Sequence, residues 1–364
     1  MNKQQEILAL SKRLISIPSV VGDFAAQQKC LDFIERYFKG LPALKVKRFR
    51  FGDHGSLLFY NQSVKNPDVC FYGHVDVVKA EKRQFSPKVK GDKLFGRGAS
   101  DMKAVLAAQM VLLKDLIKSG YAGSVALLVV TDEEIGGALG AQKIADEFNF
   151  RPGCILVPDG GDNWKMSIGE KGVHWTEIAF EGKPDHGSRP WLGVNAGEEL
   201  MAAYEKIKKS FRQAKSEKDS LLTINLGAIE GGVNYNQVMP SATMGLDIRY
   251  PKNIKLSEIK KKIKAALPLY AKVKSLEESP AWSVDLDNKL IKRFTRSACK
   301  VLRRKKIEQQ ISCGASDARM FGWIGVPTIV FKPVCGGMHS RDEWVSIKAL
   351  GKFYDIYKDF LLSK

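Results

Sequence analysis

The chain alternates short, wholly apolar runs with helical patterns, and no other feature restricts its fold so strongly. VCFYG at 69–73, VALLVV at 125–130 and CILV at 154–157 offer no polar face to water, so each reads as a strand covered on both sides. Residues 4–17 and 24–38 carry amphipathic helical periodicity and are separated by Pro18, Gly22 and Asp23. A long helical pattern runs from about Met102 to Ile117 and closes at Gly120. A further buried run, IGVPTIVFKP at 324–333, precedes a closing helix from about Ser346 to Leu362. Strands that alternate with helices build an α/β domain, here with a mixed, mostly parallel sheet between helices.

After Gly172 the texture changes. VHWTEIAFEG alternates as a half-exposed strand does, two lysine-rich helical stretches follow, and INLGAIEGG and TMGLDIRY read as further strands. The expected organisation is one domain formed by 1–172 and 283–364, interrupted by an inserted α+β domain at 173–282. At 364 residues and 44% hydrophobic content, the chain is long enough for two such cores.

The longest unbroken apolar run, VALLVV, is far short of the about 20 residues that cross a bilayer. The N-terminal MNKQQEILALSKRL mixes charges with apolar residues, so neither secretion nor membrane insertion is expected. Cysteines at 30, 70, 154, 299, 313 and 335 show no CxxC and no regular spacing. That argues against a disulfide framework and a cysteine zinc site, and suits a reducing cytoplasm. A net charge of +18 attracts polyanions in general, but the lysines spread along helical stretches such as IKKKIKAALPLYAKVKS and no nucleic-acid motif is present. A solvated basic surface is expected, with no nucleic-acid and no membrane partner.

In CFYGHVDVV, residues 70–78, two ionisable groups interrupt an apolar strand. His74 and Asp76, two apart on an extended chain, point to one side while Val75 and Val77 pack the other, which suits a ligand and the carboxylate that orients it. VALLVV runs into Thr131-Asp132-Glu133-Glu134, CILVP into Asp159, and PTIVFKP leads through Cys335-Gly336-Gly337 to His339. Ligands of open parallel sheets bind beyond the carboxyl ends of the strands, so these groups converge from distant positions. Asp101, in GRGASDMKAVLAAQM, opens the long helix. Taken singly, each has a plainer role: a core histidine, an N-cap at Asp101, first-turn acids at Glu133 and Glu134, a turn residue at Asp159. Taken together, two imidazoles and several carboxylates match the ligands of zinc, and two zinc ions about 3.5 to 4 Å apart need a carboxylate to bridge them. Adjacent Glu133 and Glu134 supply one group for metal and one for water.

The motifs GHVDVV, GRGASDMK, TDEEIGG, PDG and HSRDE, in that order, resemble those of the co-catalytic zinc exopeptidase and deacylase family. That family includes acetylornithine deacetylase, succinyl-diaminopimelate desuccinylase, carboxypeptidase G and several dipeptidases. The resemblance spans nearly the whole chain and implies two Zn2+, with Co2+ or Mn2+ as substitutes. It implies that His74 and Asp159 bind one ion, that Glu134 and His339 bind the other, and that Asp101 bridges them. Asp76 would orient His74, and Glu133 would be the general base and then acid of amide hydrolysis. By the same resemblance, 1–172 with 283–364 is the catalytic zinc domain, and 173–282 is a ferredoxin-like lid through which a homodimer forms.

KPDHGSRPWLGVNA matches the family's lid histidine motif at His186, which in dimeric relatives reaches the neighbouring subunit's site and helps hold the oxyanion. GGVNYNQVMPSATMGLDIR resembles the segment that supplies a substrate-binding Asn and Arg, assigned to Asn236 and Arg249. Asn234 is a rival, because Asn236-Gln-Val-Met-Pro places its proline one residue later than the family's Asn-Val-Ile-Pro. SCGASDARMF at 312–321 resembles a glycine-containing turn whose donors bind the substrate carboxylate, which makes Gly314, Ala315 and Ser316 candidates and Arg319 structural. Its plainer reading is a strand-to-helix turn capped by Ser316 or Asp317. His54 and His174 match no motif and are expected on the surface or in packing.

Two departures bear on substrate. Desuccinylases tend to have paired arginines just before the lid, where this chain has Glu170 and Lys171; a fixed negative charge there would repel a succinyl carboxylate unless turned away. The ligand at 159 is Asp, as is commoner in aminopeptidases and dipeptidases, where deacylases usually have Glu. The expectation is a dizinc hydrolase of a small N-acyl amino acid, with a zinc dipeptidase, aminopeptidase or carboxypeptidase on the same scaffold as the alternative.

Overall fold

The computed structural model describes residues 2–161, 163–216, 219, 221–312 and 314–363. The chain divides into two compact units, Met1–Ile168 with Val284–Ser312 and Ser316–Lys364, and Gly169–Ser283 with Cys313–Ala315.

The larger unit is built on a mixed sheet. Its strands follow the order Lys45–Phe51, His54–Tyr60, Val125–Val130, Val69–His74, Ile155–Val157, Thr328–Phe331 and Lys165–Glu170, with Glu308–Ser312 also paired to the last. The four central strands are parallel and the flanking ones antiparallel. His74 lies opposite Val130, Phe71 opposite Leu156, and Val157 opposite Val330. In that register the carboxyl ends of the four parallel strands lie at the same edge of the sheet.

Burial on both faces explains why these strands are apolar at every position. Phe71 packs against Tyr357 of the Ile347–Leu362 helix, ring centroids 5.9 Å apart, while its neighbour Tyr72 turns to Phe321 of the Ala318–Trp323 helix at 6.4 Å. The Lys103–Lys118 helix, rich in Ala, Val and Leu, is buried at every residue from Lys103 to Leu113. A Cβ at Gly73 would meet Leu106 Cδ1 at 2.9 Å, so the glycine lets this helix come close to the strand. The α/β class holds as expected, and Lys3–Ile15, Phe24–Phe38 and Ile347–Leu362 form helices where the periodicity predicts them. The antiparallel pair Lys45–Phe51 and His54–Tyr60 is not apparent in the sequence, because KVKRFRF lies at a sheet edge and its basic residues, Lys47 and Arg48 adjacent among them, break the alternation.

The smaller unit holds four antiparallel strands in the order Thr223–Gly231, Ser241–Tyr250, Gly172–Glu181, Lys272–Ser279. The helices Ala196–Lys209 and Leu256–Ala266 complete a β-α-β-β-α-β chain order, with the first and third strands central, which is the ferredoxin-like arrangement. Gly172–Glu181 sends Ile178 and Phe180 into a core with Leu200, Ile207, Met244 and Ile259 and leaves Trp175 exposed, as the alternation predicts. Among the described residues no helix is long and apolar enough to cross a membrane. Cys30, Cys70, Cys154 and Cys299 are unbridged thiols.

Candidate metal centre

The residues just past the ends of the parallel strands gather in the larger unit. Two groups form whose ligand atoms lie within 4.8 Å of one another: His74, Glu133 and Asp159, and Asp101, Glu134 and His339. Asp101 faces both, with Oδ1 3.2 Å from His74 Nε2 and Oδ2 3.2 Å from His339 Nε2. His339 Nε2 is also 3.2 Å from Glu134 Oε2, and Glu133 Oε2 is 3.9 Å from His74 Nε2.

Local structure aims each group. His74 Nδ1 lies 3.0 Å from the backbone carbonyl of Asp76; a carbonyl only accepts, so Nδ1 carries the proton and Nε2 presents its lone pair to the site. Asp76 Oδ1 is 3.4 Å from the same nitrogen, and Oδ2 accepts the Glu134 backbone N–H at 2.9 Å, which ties the His74 strand to the glutamate turn. Asp101 is not a helix cap. The N-cap position belongs to Met102, with no side-chain cap, and the Asp101 carboxylate goes to the two imidazoles. The Glu133–Glu134 turn is held by Asp132, whose Oδ2 accepts N–H groups of Leu139 and Gly140 at 2.8 Å each, and by Arg319, which donates to the Gly136 carbonyl at 3.0 Å.

Two residues that shape the site are not among the candidates picked out from the sequence: Glu343, which closes the HSRDE motif, and Lys332. Glu343 is buried; its Oε1 accepts backbone N–H groups of Gly98 (3.0 Å), Ser100 (2.8 Å) and Asp101 (3.0 Å), and its Oε2 accepts from Arg97 at 2.6 Å. It thereby sets the loop that carries Asp101. Its place at the end of HSRDE and a glycine-rich loop with several N–H groups to satisfy are the hints that such an acceptor exists. Lys332, fully buried, directly follows the Thr328–Phe331 strand and places Nζ 3.6 Å from Asp159 Oδ1 and 3.8 Å from Asp101 Oδ1. It occupies the same strand-end position that singles out the acidic candidates, but a lysine before a proline reads as solvated.

The crowding of carboxylates has clear electrostatic consequences. Burial, then the charge of Asp159, pushes Glu133 well above the usual carboxylate range, and burial with the charge of Asp101 pushes Asp159 up to about 6. Burial would raise Asp101 too, but Lys332, His339 and His74 outweigh it and hold that carboxyl well below its ordinary value. The hydrogen bonds that His339 donates to the carboxylates of Asp101 and Glu134 lift it to about 10. His74 is raised against the effect of burial by Asp101 and Asp76. Once Nδ1 of His74 holds a proton, Nε2 and Asp101 Oδ1 meet at 3.2 Å as two lone-pair carriers, an arrangement that calls for a cation or a second proton between them. The imidazole and carboxylate set fits zinc.

The remaining candidates lie elsewhere. His186 is exposed in the smaller unit, with Nδ1 2.7 Å from Ser188 Oγ, and adjoins Asn236, whose carbonyl accepts the Gly187 N–H at 2.7 Å. Asn234 is also exposed there. Arg249 is half-buried and donates to Asp247 at 2.8 and 3.2 Å. Gly314 and Ala315 belong to the smaller unit, whereas Ser316 is buried in the larger one with Oγ 3.4 Å from the Ala318 N–H, a weak cap. His54 and His174 are packing residues rather than surface ones; His54 lies edge-on to Phe24 and 3.2 Å from the Thr131 carbonyl. Glu170 is buried and accepts from Trp282 Nε1 at 2.9 Å, and Lys171 donates to the Leu221 carbonyl at 2.7 Å. The negative charge at 170 is therefore turned inward, which removes it as a source of repulsion.

Beside the glutamate turn, Tyr72 donates to the buried carboxyl of Asp317, which burial and the charge of Asp132 push up to about 7. Gly137, at φ 69°, is needed there, since a Cβ would fall 1.8 Å from Asp317 Oδ1. The folded pKa of Asp317 exceeds its ordinary 3.8, so the unfolded chain ionises first and stability falls as pH rises from about 4 to 7, by on the order of 4 kcal/mol. Asp317→Asn keeps an acceptor for Tyr72 and removes the charge. In metal-stripped protein it is expected to raise Tm at about pH 8 and to bring no gain at about pH 4, the acid limit set by the ordinary carboxyl value. Equal shifts in thermal melts at both pH values would contradict this.

Residues 70–363 match the Peptidase family M20/M25/M40. The chain is 26% identical to succinyl-diaminopimelate desuccinylase of Coxiella burnetii over 97% of each chain. It is 25% identical to the Acinetobacter baumannii enzyme of the same name, covering 98% of this chain and 97% of that one. Among solved structures, an aminopeptidase of Bacillus cereus superposes with a TM-score of 0.82 at 18% identity over 98% of each chain. A metallo-carboxypeptidase of Sulfolobus solfataricus does so with a TM-score of 0.80 at 17% identity over 99% of each chain. Both are similar in fold. With the family match running from the His74 strand to the closing helix and the ligand-type groups gathered between, this chain is a metal-dependent hydrolase that belongs to peptidase family M20/M25/M40.

Proposed function

We propose that this protein is a dizinc amidohydrolase that removes the acyl group from a small N-acyl amino acid. The supporting observation is Asp101, whose two oxygens face imidazoles of two separate ligand groups, with Glu133 beside one of them. His74 and Asp159 would hold one zinc, Glu134 and His339 the other, and Asp101 both, with Asp76 orienting His74. When bound, the metals supply Lewis acidity that acidifies water and polarises the amide carbonyl. Glu133 carries the proton: its carboxylate takes one from the attacking water and returns it to the leaving amine nitrogen. Its burial beside Asp159 strengthens its hold on a proton, as a group that carries one between two steps requires.

Substrate is held by Asn236 and Arg249, with Gly314, Ala315 and Ser316 receiving its carboxylate. His186 donates to the developing oxyanion of the neighbouring subunit in a homodimer formed through the smaller unit. Support for that dimer comes from the Thr223–Gly231 strand, an edge of its sheet, where Ile229 is 59% exposed, and from Met201, 60% exposed on the adjoining helix. A cytoplasmic location accords with the unbridged thiols.

Neither Glu170 nor Lys171 offers a free cation, so an uncharged acyl group such as acetyl suits the site better than succinyl. A second reading, a dipeptidase or aminopeptidase on the same scaffold, is favoured by Asp at 159. A zinc-loaded panel of N-acetyl and N-succinyl amino acids and free dipeptides, read by amine release, separates the two. The expected result is a kcat/KM for acetylated substrates at least about tenfold above that for dipeptides, a difference of about 1.4 kcal/mol. Cleavage of dipeptides alone would select the second reading.

A further inference from the structure

We propose that Lys332 is a built-in cation that makes the two metal positions unequal. The position formed by Asp101, Glu134 and His339 takes the first ion tightly, and the position formed by His74 and Asp159 binds the second much more weakly. The proposal rests on the dizinc reading and adds an order of filling to it.

The asymmetry lies in the geometry of Asp101. Its Oδ1, the oxygen facing His74, is the one 3.8 Å from Lys332 Nζ, whereas its Oδ2 faces His339. A second carboxylate near the ammonium, Asp159 at 3.6 Å, belongs to the same half. Lys332 Nζ also lies 3.8 Å from Met338 Sδ. A fully buried ammonium needs negative partners; among those of this one, Asp159 belongs to the His74 half and the bridging Asp101 turns to it the oxygen that faces His74.

The lysine is also anchored. Its backbone N–H donates to the Gly161 carbonyl and its own carbonyl accepts the Trp164 N–H, both at 3.2 Å, so residue 332 is stitched to the turn beyond Asp159. A divalent ion entering between His74 and Asp159 meets a positive charge held against both of its carboxylates. Like charges in a poorly solvated site repel strongly, and the lone pairs shared with the ammonium are partly taken.

The test is a zinc titration of the chelator-stripped protein by competition with a chromophoric chelator, with metal content measured after dialysis at fixed free zinc. The native protein is expected to fill in two steps whose Kd values differ by at least about a hundredfold. Lys332→Met should tighten the second step by at least about tenfold and leave the first nearly unchanged, while Lys332→Arg should keep the separation. Lys332→Gln serves as a second neutral variant, and circular dichroism with thermal melts of the stripped proteins checks that each is folded. One affinity for both ions in the native protein, or an unchanged separation in folded neutral variants, would overturn the role of Lys332 alone. No zinc bound by any of the proteins would overturn the metal-centre reading and this role with it.

Discussion

Glu133→Gln is expected to lower kcat on the best substrate by about 10³-fold, within the range general acid–base groups contribute, while zinc content stays native. Glutamine keeps the shape and the hydrogen-bonding reach of the side chain but cannot take up a proton from water. The native carboxylate stands 3.9 Å from His74 Nε2, close enough to serve the reacting water and also close enough to be a ligand, so the two readouts must be taken together. Lost activity with retained zinc identifies the base. Lost zinc would make Glu133 a ligand, and an unchanged kcat would remove it from the mechanism. The same residue tests the proposed dimer. A Glu133→Ala subunit mixed with a His186→Ala subunit should regain part of the activity, because a hybrid dimer holds one site with both residues intact. Absence of rescue would place His186 in its own subunit's site or outside catalysis.

Asp101→Ala is expected to abolish stable metal binding, with zinc after dialysis below about a tenth of the native content and no measurable turnover, since a shared carboxylate offsets the repulsion between paired cations. Among the described residues it is Asp101 whose two oxygens face both imidazoles, so its loss leaves each group short of a ligand. Asp101→Asn is the control for folding. It preserves the backbone N–H that Glu343 accepts and the packing at the start of the Lys103–Lys118 helix. Two zinc ions retained by the folded alanine variant would rule out the bridge.

The α/β class was legible because burial on both faces leaves a strand no choice of residue: VALLVV and VCFYG are apolar throughout, and the helix between them is buried almost all round. The α+β character of the smaller unit was legible for the converse reason, since a strand with one wet face must alternate, as Gly172–Glu181 does, while its ferredoxin-like order was implied only by the family resemblance. The candidate ligands could be picked out because parallel strands deliver the residues at their carboxyl ends to one edge of the sheet.

Other features depend on which distant groups meet. Asp101 satisfies the local pattern of a helix cap as well as that of a ligand, and the positions of His74 and His339 decide between them. Glu170 has a sign the sequence states and a direction that Trp282 imposes. Glu343 accepts three N–H groups from a loop near residue 100, and Lys332 is an ammonium buried beside Asp159 at another strand's end and Asp101 at the start of a helix. Periodicity and capping are set within a few residues, so the sequence alone determined the elements and the ends that carry chemistry. Hydrogen bonding and charge in a buried site act through space, so only the tertiary structure decided which acids are neighbours and where the extra positive charge sits.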